Sequence, residues 1–136
     1  MTRADTRVLE TRAGPDTLGE IAVALDRAWS RHPVVPVTIR MQMAIAAGEI
    51  GANILEHAAQ GQPVRVCMDV DVLPGEVCID FLDEGRPLQI DLGAVRLPDE
   101  LSERGRGLAL AQAVLESLTY RRTAVNHWTL VSKRFD

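Results

Sequence analysis

The sequence predicts an α+β fold, a two-layer α/β sandwich in which helices cover one face of a mixed, mostly antiparallel sheet. Three observations predict it. Apolar residues recur at three- and four-residue steps as far as Ala59, and beyond Gly61 the period changes to two. The elements then run strand, two helices, strand pair, long loop, helix, strand pair, without the regular β-α alternation of a doubly wound parallel sheet. The 136 residues fit a single domain spanning 1–136, and 46% hydrophobic with 25% charged residues is a globular rather than a disordered composition.

A short strand is expected at Arg7–Thr11. Gly14-Pro15-Asp16-Thr17 then opens a helix, with Thr17 and Glu20 spaced as a capping box. It should run to about Arg31, burying Leu18, Ile21, Ala22, Leu25, Ala28 and Trp29, before Pro33 and Pro36 break it. A second helix is expected from Val37 to Ala59, with Met41, Ile45, Gly48, Ala52, Leu55 and Ala59 as its buried seam. Val64, Val66, Met68, Val70 and Val72 alternate with Arg65, Cys67, Asp69 and Asp71, and Pro74-Gly75 turns the chain into Val77, Ile79 and Phe81. This reads as a β-hairpin with one buried face. Glycines and prolines break the stretch that follows, which is too long for an idle loop and reads as a lid over about 84–106. Helical spacing returns over Leu108–Leu118, and strands near Thr119–Ala124 and His127–Arg134 close the sequence.

A net charge of −4 argues against direct, sequence-independent nucleic-acid binding, which rests on basic residues neutralising phosphates. The N-terminal segment is charged at Arg3, Asp5 and Arg7 and shows neither a signal peptide nor a membrane span, so a cytoplasmic protein is expected. Cys67 and Cys78 fall in alternating apolar segments and read as structural thiols.

Three clusters have the residue types for chemistry. Glu49, Asn53 and His57 follow one another at four-residue steps, which places them along one side of the second helix among small residues that let a ligand or a neighbouring helix approach. An amide oxygen can hold a hard cation while a carboxylate activates a hydroxyl; the same spacing also suits a polar pair on a solvated face. Asp83-Glu84-Gly85-Arg86-Pro87 leaves a buried strand with an acid able to accept from an exocyclic amine, or is simply a turn. Glu103-Arg104-Gly105-Arg106-Gly107-Leu108 leads into a helix, so its amides and arginines can meet phosphate, or it is a glycine linker. The only lysine is Lys133, which excludes a Walker-type phosphate loop, and no strand precedes Gly105, which excludes a Rossmann fingerprint.

In this order the clusters resemble the N, G1 and G2 boxes of the histidine-kinase-like (GHKL) ATPases, whose fold is the Bergerat sandwich. Glu49-x-x-x-Asn53-x-x-x-His57-Ala58 is similar to the N box of small anti-sigma kinases, Asp83 to Pro87 to the G1 box, and Gly105-Arg106-Gly107-Leu108 to the G2 box. Asn126-His127-Trp128-Thr129-Leu130-Val131 is similar to the last strand of the family. The resemblance implies ATP and Mg²⁺ as cofactors, with Asn53 as metal ligand, Glu49 as general base and Asp83 on the adenine amine. It implies that Gly105 and Gly107 cradle phosphate, and that His57, Gly85, Arg104, Arg106 and Thr129 complete the nucleotide site. Pro87 stands where a second glycine is usual.

A domain of this length without attached modules resembles the RsbW-like partner-switching proteins. The resemblance implies an anti-sigma factor and serine protein kinase that sequesters an RNA polymerase sigma factor, phosphorylates a STAS-domain anti-anti-sigma protein, and forms a homodimer through the first strand and helix. Alternatives within reach of the same motifs are a non-catalytic ATP/ADP-binding switch, a stand-alone kinase that activates a phosphatase, and a structural domain with no nucleotide.

Overall fold

The computed structural model describes residues 6–88, Leu92 and 103–136, with 103–105 described by backbone alone. The elements are β1 (Arg7–Arg12), α1 (Thr17–Arg31), α2 (Val37–Asn53) continued by a π-helical turn (Ile54–Ala59), β2 (Arg65–Leu73), β3 (Glu76–Asp83), α3 (Glu103–Val114), β4 (Ser117–Arg122) and β5 (Asn126–Val131). The sheet order is β1-β2-β3-β5-β4, and every adjacent pair is antiparallel. The expected α+β architecture is present, with one correction to the mixed sheet. After β3 the chain crosses by way of α3 and enters β4 at the edge. The β4–β5 hairpin then places β5 between β3 and β4, so these two strands, which run in the same direction, are not neighbours.

One sheet face is apolar because alternate residues point the same way. Val66, Met68 and Val70 on β2, Val77, Ile79 and Phe81 on β3, and Trp128 and Leu130 on β5 are buried together with Ile21, Leu25, Met43, Ile50, Ile54 and Leu108 of the helices. On the opposite face, Asp69 is buried although the alternation placed it outward, and Cys67 is buried as expected of a structural thiol. Arg7 accounts for part of this: its Nε donates to Asp69 Oδ1 at 2.8 Å, a bond that raises the guanidinium pKa. Burial pushes the Cys67 thiol up, against the pull of Arg7 and Arg65.

Helix α1 has the expected span, but the capping box does not form. Thr17 is the first helical residue; its hydroxyl accepts from Gly14 N at 2.9 Å, and Glu20 accepts from Thr11 Oγ1 at 2.8 Å. Glu20 therefore ties α1 to β1 instead of closing the helix end. Leu18 is 42% exposed and Ala22 is exposed, while Ile21, Leu25, Ala28 and Trp29 are buried as expected.

The larger correction concerns α2. Its buried residues are Ile39, Met43, Ala46, Ala47, Ile50, Gly51 and Asn53, whereas Met41 and Ile45 of the expected seam are 60% and 42% exposed. The two sets lie on opposite sides of the helix at ~100° per residue. Apolar residues occur nearly all round α2, so periodicity alone does not choose between the faces. Packing between α1 and α3 chooses.

Candidate nucleotide site

Helix α2 and its π-helical continuation carry the first group of candidate residues. Glu49, Ala52, Asn53, Glu56 and His57 line a cleft of about 80 Å³ with Gly107 and Leu108 of α3. The sequence expectation that Glu49, Asn53 and His57 share one wall therefore holds in space. The π turn begins immediately after Asn53, and such turns are frequent where a helix presents functional groups. His57 Nε2 lies 3.6 Å from Glu56 Oε2 at the cleft edge. Asn53 is 7% exposed, and neither it nor Glu49 makes a side-chain hydrogen bond or ion pair among the described residues. Two oxygen-bearing groups thus stand unengaged on one cleft. Oxygen donors of this kind suit a hard cation such as Mg²⁺.

Across the cleft, the glycine-rich cluster differs from expectation. Glu103–Val114 is helical, so Arg104, Gly105, Arg106 and Gly107 form the first turns of α3 instead of a loop before it. The Leu108-Ala109-Leu110-Ala111 run is strong enough in helix propensity to extend back over two glycines that cost about 1 kcal/mol each. Gly107 lies close to Glu49: a Cβ there would stand 2.6 Å from Oε1, the far end of a flexible side chain that can turn aside. The early amides of α3 have no partner within the helix and are the kind of donors that meet phosphate oxygens. Arg106 is exposed; the side chain of Arg104, and lid residues 89–102 apart from Leu92, lie outside the described residues. A nucleotide needs a pocket of several hundred Å³.

The second group forms at the end of β3. Asp83 is fully buried, and three donors converge on it: Gly85 N (2.9 Å) and Asn126 Nδ2 (2.7 Å) on Oδ1, and Trp128 Nε1 (3.1 Å) on Oδ2. Asn126 Nδ2 also donates to Arg86 O at 2.7 Å, while its Oδ1 accepts from Tyr120 OH and from Arg122 NH1. Arg122 NH1 reaches Gly85 O at 2.7 Å, and Tyr120 OH accepts from Leu88 N at 2.8 Å. The loop after β3 is thereby fastened to β4 and β5 residue by residue. Gly85 fits because a Cβ would stand 2.6 Å from Ala58 O, at the end of the π turn, where Arg86 N donates to the same carbonyl. That contact brings the Asp83 loop to the residue next to His57. Gly85→Ala is expected to cost about 1–3 kcal/mol, read from the urea midpoint, because backbone rather than a flexible side chain must move; an unchanged midpoint would refute the close approach.

Thr129 does not join this site. It lies on the face of β5 opposite Asn126, Trp128 and Leu130, and its Oγ1 donates to Asp80 Oδ1 at 2.7 Å on the outer face of the sheet. Strand alternation separates it from Asp83. The residues that do hold Asp83 are Asn126, Trp128 and, one bond further out, Tyr120 and Arg122. The sequence placed Asn126 and Trp128 only in a strand of family likeness, and Tyr120 and Arg122 carried no signal.

Among the described residues, no three His, Cys, Asp or Glu side chains group as a metal site, and no helix is long and apolar enough to cross a membrane. A family model described as a histidine kinase-like ATPase domain matches residues 11–133. Among solved structures, the histidine kinase domain of a blue-light activated histidine kinase from Erythrobacter litoralis is similar, with a TM-score of 0.55 and 21% identity over 85% of this chain. This chain spans 58% of that one, and the likeness at such identity concerns the fold. No curated protein sequence matches significantly.

Proposed function

The chain belongs to the histidine kinase-like ATPase domain family, and on that premise we propose that it is an anti-sigma factor with protein serine kinase activity. In this reading it binds MgATP, sequesters an RNA polymerase sigma factor and phosphorylates a STAS-domain anti-anti-sigma protein on serine. The observation that carries the reading is the cleft shared by Glu49, Asn53, His57 and Gly107, with the Asp83 loop packed against the same helix end. Asn53 would hold Mg²⁺, which when bound neutralises phosphate charge. Glu49 takes the proton from the serine hydroxyl as its oxygen attacks the γ-phosphorus, and the bond from that phosphorus to the β-γ bridging oxygen breaks to release ADP. The first amides of α3 and Arg106 face the phosphates once α3 has moved away from α2.

A homodimer belongs to the same proposal. A groove of about 480 Å³ runs between β1 and α1, lined by Val8, Leu9, Gly19, Val23 and Arg27 among others, and Val23 is 51% exposed. The close seat of Gly107 against Glu49 favours one second reading, a switch protein that binds nucleotide and holds partners without transferring phosphate.

Calorimetric titration with ATP, with and without Mg²⁺, followed by phosphate transfer onto purified STAS-domain proteins, tests both readings. Saturable Mg²⁺-dependent binding with serine phosphorylation is the expected result. Binding without transfer selects the non-catalytic switch, and no binding rejects the nucleotide site.

A further inference from the structure

We propose that the outward face of α2 is an interface between two copies of this chain, packed antiparallel about a two-fold axis and separate from the groove between β1 and α1. The face is apolar along its whole length. Val37, Met41, Ile45, Gly48 and Ala52 follow at steps of four, four, three and four, which puts them within about 80° of one another at ~100° per residue. Val37 is 66%, Met41 60% and Ile45 42% exposed, so this side is turned away from the sheet. The two charged residues of α2 lie off it: Arg40 donates to Val35 O and Pro33 O, and Glu49 lines the cleft toward α3. A helix that is apolar nearly all round belongs under cover on every side, and the sheet, α1 and α3 leave this side open.

Gly48 points to a close neighbour. A glycine inside a helix is less stable than alanine, and a Cβ at Gly48 would meet nothing within 4 Å in the chain itself. Gly51, by contrast, is packed against Leu18 and Ile21 of α1. A second copy fits by size. With the axis level with Ala46 and Ala47, Met41 of one copy meets Ala52 of the other and Ile45 meets Gly48, so bulk meets space along the whole face. The same register carries Leu18, which sits beside Gly51, over the groove of about 450 Å³ that Trp29, Met41 and Ala44 help to line between α1 and α2. An uncharged face also meets its own copy without like-charge repulsion. The area agrees: Val37 to Ala52 spans about 24 Å and three helices side by side about 28 Å, so roughly 700 Å² per copy is available against the ~800 Å² per partner of a stable interface.

The test is sedimentation equilibrium of the full chain carrying Val23→Glu, which puts a charge into the β1–α1 groove and leaves this face to be read alone. That variant should dimerise with a micromolar or tighter dissociation constant. Adding Met41→Glu, or Ile45→Glu at a second exposed position, should weaken the dimer about a hundredfold or more, since two unpaired carboxylates enter one apolar contact. Gly48→Leu should weaken it about tenfold or more without lowering the urea midpoint, an outcome that a glycine required by the fold of one chain would not give. A monomer at about 100 µM overturns the inference, as does a dimer indifferent to these substitutions. If the monomer instead binds a sigma factor or a STAS-domain protein, and Met41→Glu abolishes that binding, the face belongs to a different protein and the second copy is rejected.

Discussion

Asp83→Ala is expected to lower the unfolding free energy by about 3–5 kcal/mol, a large part of the margin of a domain of this size. The side chain is fully buried and accepts from Gly85 N, Asn126 Nδ2 and Trp128 Nε1. Truncation removes the shared acceptor and leaves those donors in a space closed to water, each costing about 1–3 kcal/mol if unmatched, less whatever relaxation recovers. The loss extends beyond one residue. Asn126 also holds Arg86 O, so its release frees the loop that meets the π turn at Ala58. Urea denaturation measures the loss, and a change under about 1 kcal/mol would mean that the donors find other partners and that Asp83 does not anchor the loop.

Glu49→Gln should have the largest effect on activity, lowering phosphate transfer by about 10²–10⁴-fold with nucleotide affinity nearly unchanged. The amide is of similar shape, so it can keep the seat against Gly107, but it cannot take the serine proton. Asn53→Ala should behave in the opposite way, weakening Mg²⁺-dependent binding because the side chain that would hold the ion is gone. The paired measurement is single-turnover transfer at saturating MgATP together with calorimetry. Full transfer by Glu49→Gln would remove the base assignment. Equal ATP affinity of Asn53→Ala with and without Mg²⁺ is the expected result, and a wild-type Mg²⁺ dependence in that variant would remove the metal assignment.

The wall of the cleft was legible because Glu49, Asn53 and His57 lie on one helix, where a four-residue step returns each side chain to nearly the same side. The hairpin was legible for a similar reason: alternation separates Val66 from Arg65 whatever packs on either. The start of α3 was not legible, since glycines at 105 and 107 read equally as a loop, and the helix there comes close to Glu49 only in the folded chain. Thr129 was misplaced because likeness to a strand locates a segment without stating which face each residue takes.

The sequence by itself determined the α+β order of elements, the two-residue and near-four-residue periods, and the neighbourhood of the chemical groups along each element. These follow from the geometry of one helix or one strand, which is local. The tertiary structure alone decided which side of the apolar α2 is buried, that among the described residues no parallel strands pair, and that Tyr120, Arg122, Asn126 and Trp128 form a network around the buried Asp83. Those outcomes depend on groups distant in sequence packing against one another, or satisfying one another's hydrogen bonds out of reach of water, and no spacing along the chain encodes that.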